Sequence, residues 1–133
     1  MKFIPTDPPR RFKATGAGLT IELSDCGRMA LEPNEQVTFV ANNGGEYDVA
    51  RKSWGYYATP STNGRLARFG FKTALVLNAK GQLFVMLVEQ GGEEDFNDYI
   101  REDRQRVLCW LDDDREIEQL KNLFGEEHGQ PAK

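Results

Sequence analysis

The chain has 133 residues, of which 39% are hydrophobic and 29% charged, with a formal net charge of −4. That length can bury one ordinary core, and the balance is that of a globular domain rather than a disordered chain. Its longest apolar run, Leu83 to Val88, falls far short of the ~20 residues of a spanning helix. The N-terminal "MKFIPTDPPRRFK" lacks a signal-type apolar core, so a cytoplasmic location without membrane contact is expected.

In chain order, residues 1–16 carry three prolines and a basic cluster from Arg10 to Lys13, which predicts an extended N-terminal arm. Short strands are then expected at "GLTIEL", "GRMAL", "EQVTFVA" and "EYDVARK", separated by "SDCG", "EPN" and "NNGG", which hold the Gly, Asn and Pro of tight turns. Val37, Phe39 and Ala41 alternate with Gln36, Thr38 and Val40, the period of a strand with one buried face. The stretch "LEPNEQVTF" resembles the turn-and-strand stretch of small β-barrel cupins, without the histidines of that family's metal site.

"FKTALVLNAKGQLFVMLVE" predicts a central hairpin near 71–88, with Gly81 supplying positive φ in the loop. Because Leu83 to Val88 is apolar at every position, that strand is expected to be covered on both faces. Phe96, Tyr99 and Ile100, at i, i+3, i+4 behind Glu93, Glu94 and Asp95, predict a helix over about 92–104. After a strand at "RVLCWL", Asp113 with Glu116 forms a capping-type start for a helix over about 113–124, and Gly125 stands at its C-cap. The tail 126–133 is expected to be flexible. The class that follows is α+β: a single domain over 17–125 with a mainly antiparallel sheet of six to eight short strands, and the two C-terminal helices grouped on one face.

The chemistry of the chain is limited by what it lacks. Its one histidine, His128, lies in the tail, and Cys26 and Cys109 form no CxxC pair. No metal site, cofactor, disulfide or histidine-based nucleophile is therefore expected. The "DDD" at Asp112 to Asp114 is read as helix capping, and both cysteines as reduced structural thiols, with Cys109 buried in "VLCWL".

Charge is distributed unevenly. Val49 to Val88 contains six cations and no acid, whereas Glu89 to Glu127 holds fourteen acids against five bases. An acidic chain of this kind disfavours nucleic acid as a partner. The basic middle coincides with "SWGYYATPSTNGRLAR", rich in hydroxyls, amides and aromatics. Arg51, Arg65 and Arg68 are expected to bind an anion, Thr59, Ser61 and Asn63 to supply hydrogen bonds, and Trp54 or Tyr56 a stacking face.

The leading expectation is thus a small binding or accessory protein holding a small anionic polar ligand, of the sugar phosphate or nucleotide sugar class, at 51–68. One alternative is a metal-independent acid/base isomerase or epimerase using Glu46, Asp48, Tyr56 or Tyr57. Another is a homo-oligomer or assembly subunit with 53–61 as its interface, since Trp, Tyr and Arg are enriched at binding hot spots. The ligand-binding and catalytic expectations assume that Arg51 and Arg65 meet in space.

Overall fold

All strand pairing in the computed structural model, which describes residues 1–16, 19–125 and 129–132, is antiparallel, and three helices lie mainly toward the C-terminus. The class is broadly α+β, but eight strands divide among three sheets rather than one, and there is one helix more than the sequence predicts. No helix among the described residues is long and apolar enough to cross a membrane.

Strands β1 (Lys2–Gly16) and β2 (Leu19–Ala30) form a two-stranded ribbon along which no other element packs extensively. The expected turn at "SDCG" is instead part of β2, and the two short strands on either side of it are one. Residues of that stretch pair with β1, Ser24 with Arg11, Asp25 with Arg10 and Gly27 with Pro5, and Arg10–Asp25 and Lys13–Glu22 ion pairs, each at 3.4 Å, lie along the ribbon. The ladder shifts register between Pro5 and Arg10, where two successive prolines cannot donate. Phe3, Phe12, Leu23 and Met29 remain exposed along the ribbon.

The second sheet has the order β3-β4-β5, from Gln36–Val40, Glu46–Lys52 and Gly55–Ala58. Cross-strand partners share a face, so Val37, Phe39, Tyr47, Val49, Arg51 and Tyr56 form one side, while Thr38, Asp48 and Ala50 form the other. On the latter side the middle strand is buried, with Asp48 2% and Ala50 8% exposed, whereas Thr38 on β3 and Tyr57, opposite Ala50 on β5, are exposed. Phe39, expected on a buried face, is exposed. Hydrophobic alternation gives the period correctly, but here the inward-facing residues include polar groups that satisfy one another.

The third sheet, β7-β6-β8, places β6 (Phe71–Leu77) between β7 (Leu83–Glu89) and β8 (Arg106–Trp110). The predicted hairpin forms, with Gly81 at φ 81° in its loop. Thr73, Ala74 and Val76 of β6 are completely buried. The expectation that Leu83 to Val88 is covered on both faces fails over the first half of β7, where Leu83, Phe84 and Val85 are 59%, 42% and 63% exposed. An all-apolar strand signals burial, and within this chain the end of β7 lies beyond the covering layers.

Helix α2 (Glu93–Glu102) and helix α3 (Asp114–Phe124) follow β7 and β8. Asp113 caps α3 as its spacing predicts, its Oδ1 accepting from the amides of Arg115 and Glu116. The extra helix, α1 (Arg65–Arg68), is a single turn held by the buried Leu66. His128 and three other positions of the 126–133 tail lie outside the described residues.

Cys109 is buried, and its thiol is pushed up by desolvation and then by Glu116, Asp113 and Asp112. Cys26, expected to be structural, is exposed on β2. Iodoacetamide should therefore label one thiol per native chain, at Cys26, and both after denaturation; peptide mass mapping checks this.

The total exposed surface is 10101 Å². A compact monomer of 15.1 kDa exposes about 7,100 Å², so this chain presents about 3,000 Å² more than its mass requires.

Candidate functional site

The segment 46–68 is organised by β4 and its two neighbours. A two-residue turn, Ser53 and Trp54, joins β4 to β5, and Arg51 lies directly opposite Tyr56. The Arg51 guanidinium lies 5.2 Å from the centre of the Tyr56 ring, a cation–π arrangement. It also donates to the Leu31 carbonyl at 3.1 Å, the Lys52 carbonyl at 3.3 Å and the Tyr56 hydroxyl at 3.4 Å. These bonds fix both side chains while the ring stays 59% exposed. Trp54, 69% exposed, leans on Tyr57 with ring centres 5.8 Å apart. On the same outer face as Tyr56, Phe39 and Tyr47 stand 6.5 Å apart.

Across the sheet is a polar cluster. Asp48 accepts from Thr38 Oγ1 at 2.6 Å and from Thr59 Oγ1 at 3.4 Å, and its Oδ2 lies 2.8 Å from Arg65. Arg65 in turn donates to Thr59 Oγ1 at 3.1 Å. The Asp48 carboxyl is held below its ordinary range, first by the Thr38 hydrogen bond and then by the Arg65 charge, against the opposing cost of burial.

The structure therefore does not bring Arg51 and Arg65 together: Arg51 is on the outer face of the sheet and Arg65 serves a carboxylate on the inner one. Thr59 joins the inner cluster. Ser61 shapes the loop through its carbonyl, which accepts from the amides of Gly64 and Leu66. A Cβ at Gly64 would come within 2.2 Å of Ser61 Oγ, so a larger residue there requires the Ser61 hydroxyl to turn away. Asn63 and Arg68 are exposed, and among the described residues Arg68 has no carboxylate within 4.0 Å. Glu46 shares the inner-face parity of Asp48 and is half-buried. The two carboxylates sit on the middle strand of the sheet.

Sequence reasoning missed a cleft of about 310 Å³ between the third sheet and α2. Phe96 and Trp110 form its aromatic wall, in an edge-to-face contact with centres 5.8 Å apart. Lys72 at its mouth approaches Glu93 to 3.8 Å. Glu93 is held below its usual range by its own backbone amide, that of Gly91 and Lys72. Asp112, also in the lining, accepts from the Thr73 amide, while Asp113 caps α3. The only signal in the sequence is the cation Lys72 facing an acidic helix, and many ordinary surface pairs give the same signal. Metal-type groupings of His, Cys, Asp and Glu are absent among the described residues.

Compared with family models, curated proteins and solved structures, the chain matches none.

Proposed function

We propose that this chain is an assembly subunit that docks a protein partner through the β4–β5 turn and the outer face of its sheet. The observation that carries this reading is the exposure of Tyr56 on a side chain held by Arg51, with Trp54 exposed against Tyr57 at the adjoining turn. Ordering the Tyr56 rotamer before binding lowers the entropic cost of association. Trp, Tyr and Arg are also the residue types on which interface energy concentrates. A ligand pocket encloses its occupant, whereas Trp54 stands at the tip of a turn.

The test is site-specific photocrosslinking from position 56 in cells, with exposed Asn63 as the control position. A polypeptide adduct at 56 and not at 63 is expected. Equal yields at both positions would sink the proposal. With the adduct identified, Trp54→Ala should weaken its binding ten- to thirtyfold by calorimetry, the loss of about 2 kcal/mol usual for a hot-spot aromatic.

A second reading keeps the small anionic ligand, of the sugar phosphate or nucleotide sugar class. What favours it is the Arg51 guanidinium stacked on an exposed ring beside Lys52. It differs in its test: such a compound should raise the wild-type melting temperature by several degrees, and Arg51→Ala should abolish the shift. The acid/base enzyme is less well supported. Asp48 is buried, ion-paired and held below the range a general base needs near neutral pH.

A further inference from the structure

We propose that two copies of this chain pair along β7, edge to edge and antiparallel about a two-fold axis, joining their third sheets into one six-stranded sheet. This deepens the assembly reading and rests on it, but uses a surface remote in sequence from the β4–β5 turn.

The hydrogen-bond parity of the hairpin identifies which groups are free. The amide of Gln90 donates to the carbonyl of Gly70, and that of Asn78 to that of Gln82. In an antiparallel ladder bonded pairs alternate, so with the register Lys72↔Val88, Ala74↔Met86 and Val76↔Phe84, it is Phe84, Met86 and Val88 that bond to β6. Leu83, Val85 and Leu87 point their N–H and C=O groups outward along the sheet edge.

Natural edges carry lysines, prolines or bulges that block pairing. From Leu83 to Val88 there is no charge and no proline, and the β6–β7 register is unbroken. The row of free groups is also self-complementary. An axis through Val85 pairs Leu83 with Leu87 of the second copy, Phe84 with Met86 and Val85 with itself. Every bonded pair then draws on outward-pointing groups, and apolar side chains meet on both faces. The same register sets Glu89 opposite Gly81 of the second copy, next to Lys80, so the acids at the strand ends do not face each other.

The strand itself is open to a second copy: Leu83, Phe84 and Val85 are each more than two-fifths exposed, and among the described residues no other strand pairs with the outer side of β7. Each copy offers the same strand, as a closed two-fold dimer requires.

Two measurements test the pairing. Light scattering on wild type at micromolar concentration should give twice 15.1 kDa. Val85→Lys, which sets two ammonium groups against each other at the axis, should raise the dimer dissociation constant about a hundredfold or more with an unchanged circular dichroism spectrum. Trp54→Ala should remain dimeric, so the fate of the turn interface is read separately. Residue-resolved amide exchange on wild type needs no variant. Leu83, Val85 and Leu87 should be protected along with Phe84, Met86 and Val88, and should lose protection on dilution. Protection alternating along β7 at all concentrations overturns the proposal, as does a dimer that survives Val85→Lys.

Discussion

Asp48→Ala should lower the stability of the fold by about 3 kcal/mol, the loss expected when one partner of a buried ion pair is removed, and its melting temperature by roughly 10 °C. The size follows from what the carboxylate joins. Asp48 is 2% exposed and touches Thr38 on β3, Thr59 after β5 and Arg65 in α1. Its removal leaves two hydroxyls and a guanidinium without their acceptor. Because the Arg65 side chain is 39% exposed, water solvates part of the orphaned charge, which keeps the loss at the lower end for such pairs. A chemical denaturation series on wild type, Asp48→Ala and Asp48→Asn measures it. A change below 1 kcal/mol for the alanine variant would mean that the cluster contributes little.

The same carboxylate gives stability a pH dependence of definite sign. Its folded pKa lies below the unfolded value, about 3.9 for a free Asp. The unfolded chain therefore binds the proton more readily. The stabilisation is complete above that value and is lost as pH falls through the lower folded one. Between neutrality and pH 5 the Asp48 contribution should be flat, and below about pH 4 wild type should lose its advantage over Asp48→Asn. A gap between them that widens on acidification would contradict the assignment.

Local signals were the legible part of this fold. Asp113 and Gly125 mark the ends of α3, Gly81 the hairpin loop, and the β6–β7 pairing follows from two apolar runs around it. Each feature depends on neighbours within a few residues. The division into three sheets was not legible, because it depends on which strand ends up against which. The outward face of Phe39 and Tyr56 has the same cause: alternation says that residues share a face, but not whether that face is covered. Composition marks 51–68 as unusual. Composition could not reveal that β4 separates Arg51 from Arg65, since that needs both the strand parity and the return of the chain through Thr59. Nor could it show that a cation with an acid seventeen positions away, Arg65 with Asp48, was already committed.

Leu66→Ala should cost a further amount of the same order, about 3 kcal/mol, and its consequence for the proposed interface is more specific. Leu66 is 1% exposed and is the buried residue of the four-residue α1. A helix of one turn has no stability of its own, since nucleation costs more than its few bonds return. Packing of Leu66 is therefore what holds Arg65 in place to reach Asp48. Truncation removes buried methyl groups and leaves a cavity, which costs 2–5 kcal/mol in cores of this kind. It should also loosen the Arg65–Asp48 contact, so Leu66→Ala and Asp48→Ala together should destabilise by less than the sum of the two, with a coupling of about 1 kcal/mol. Strict additivity would place α1 outside the cluster's support. The Arg51–Tyr56 pair lies across the sheet and is anchored by the Leu31 and Lys52 carbonyls instead. In a folded Leu66→Ala protein, the position-56 crosslink should therefore survive, which separates the role of the inner cluster in stability from that of the outer face in docking.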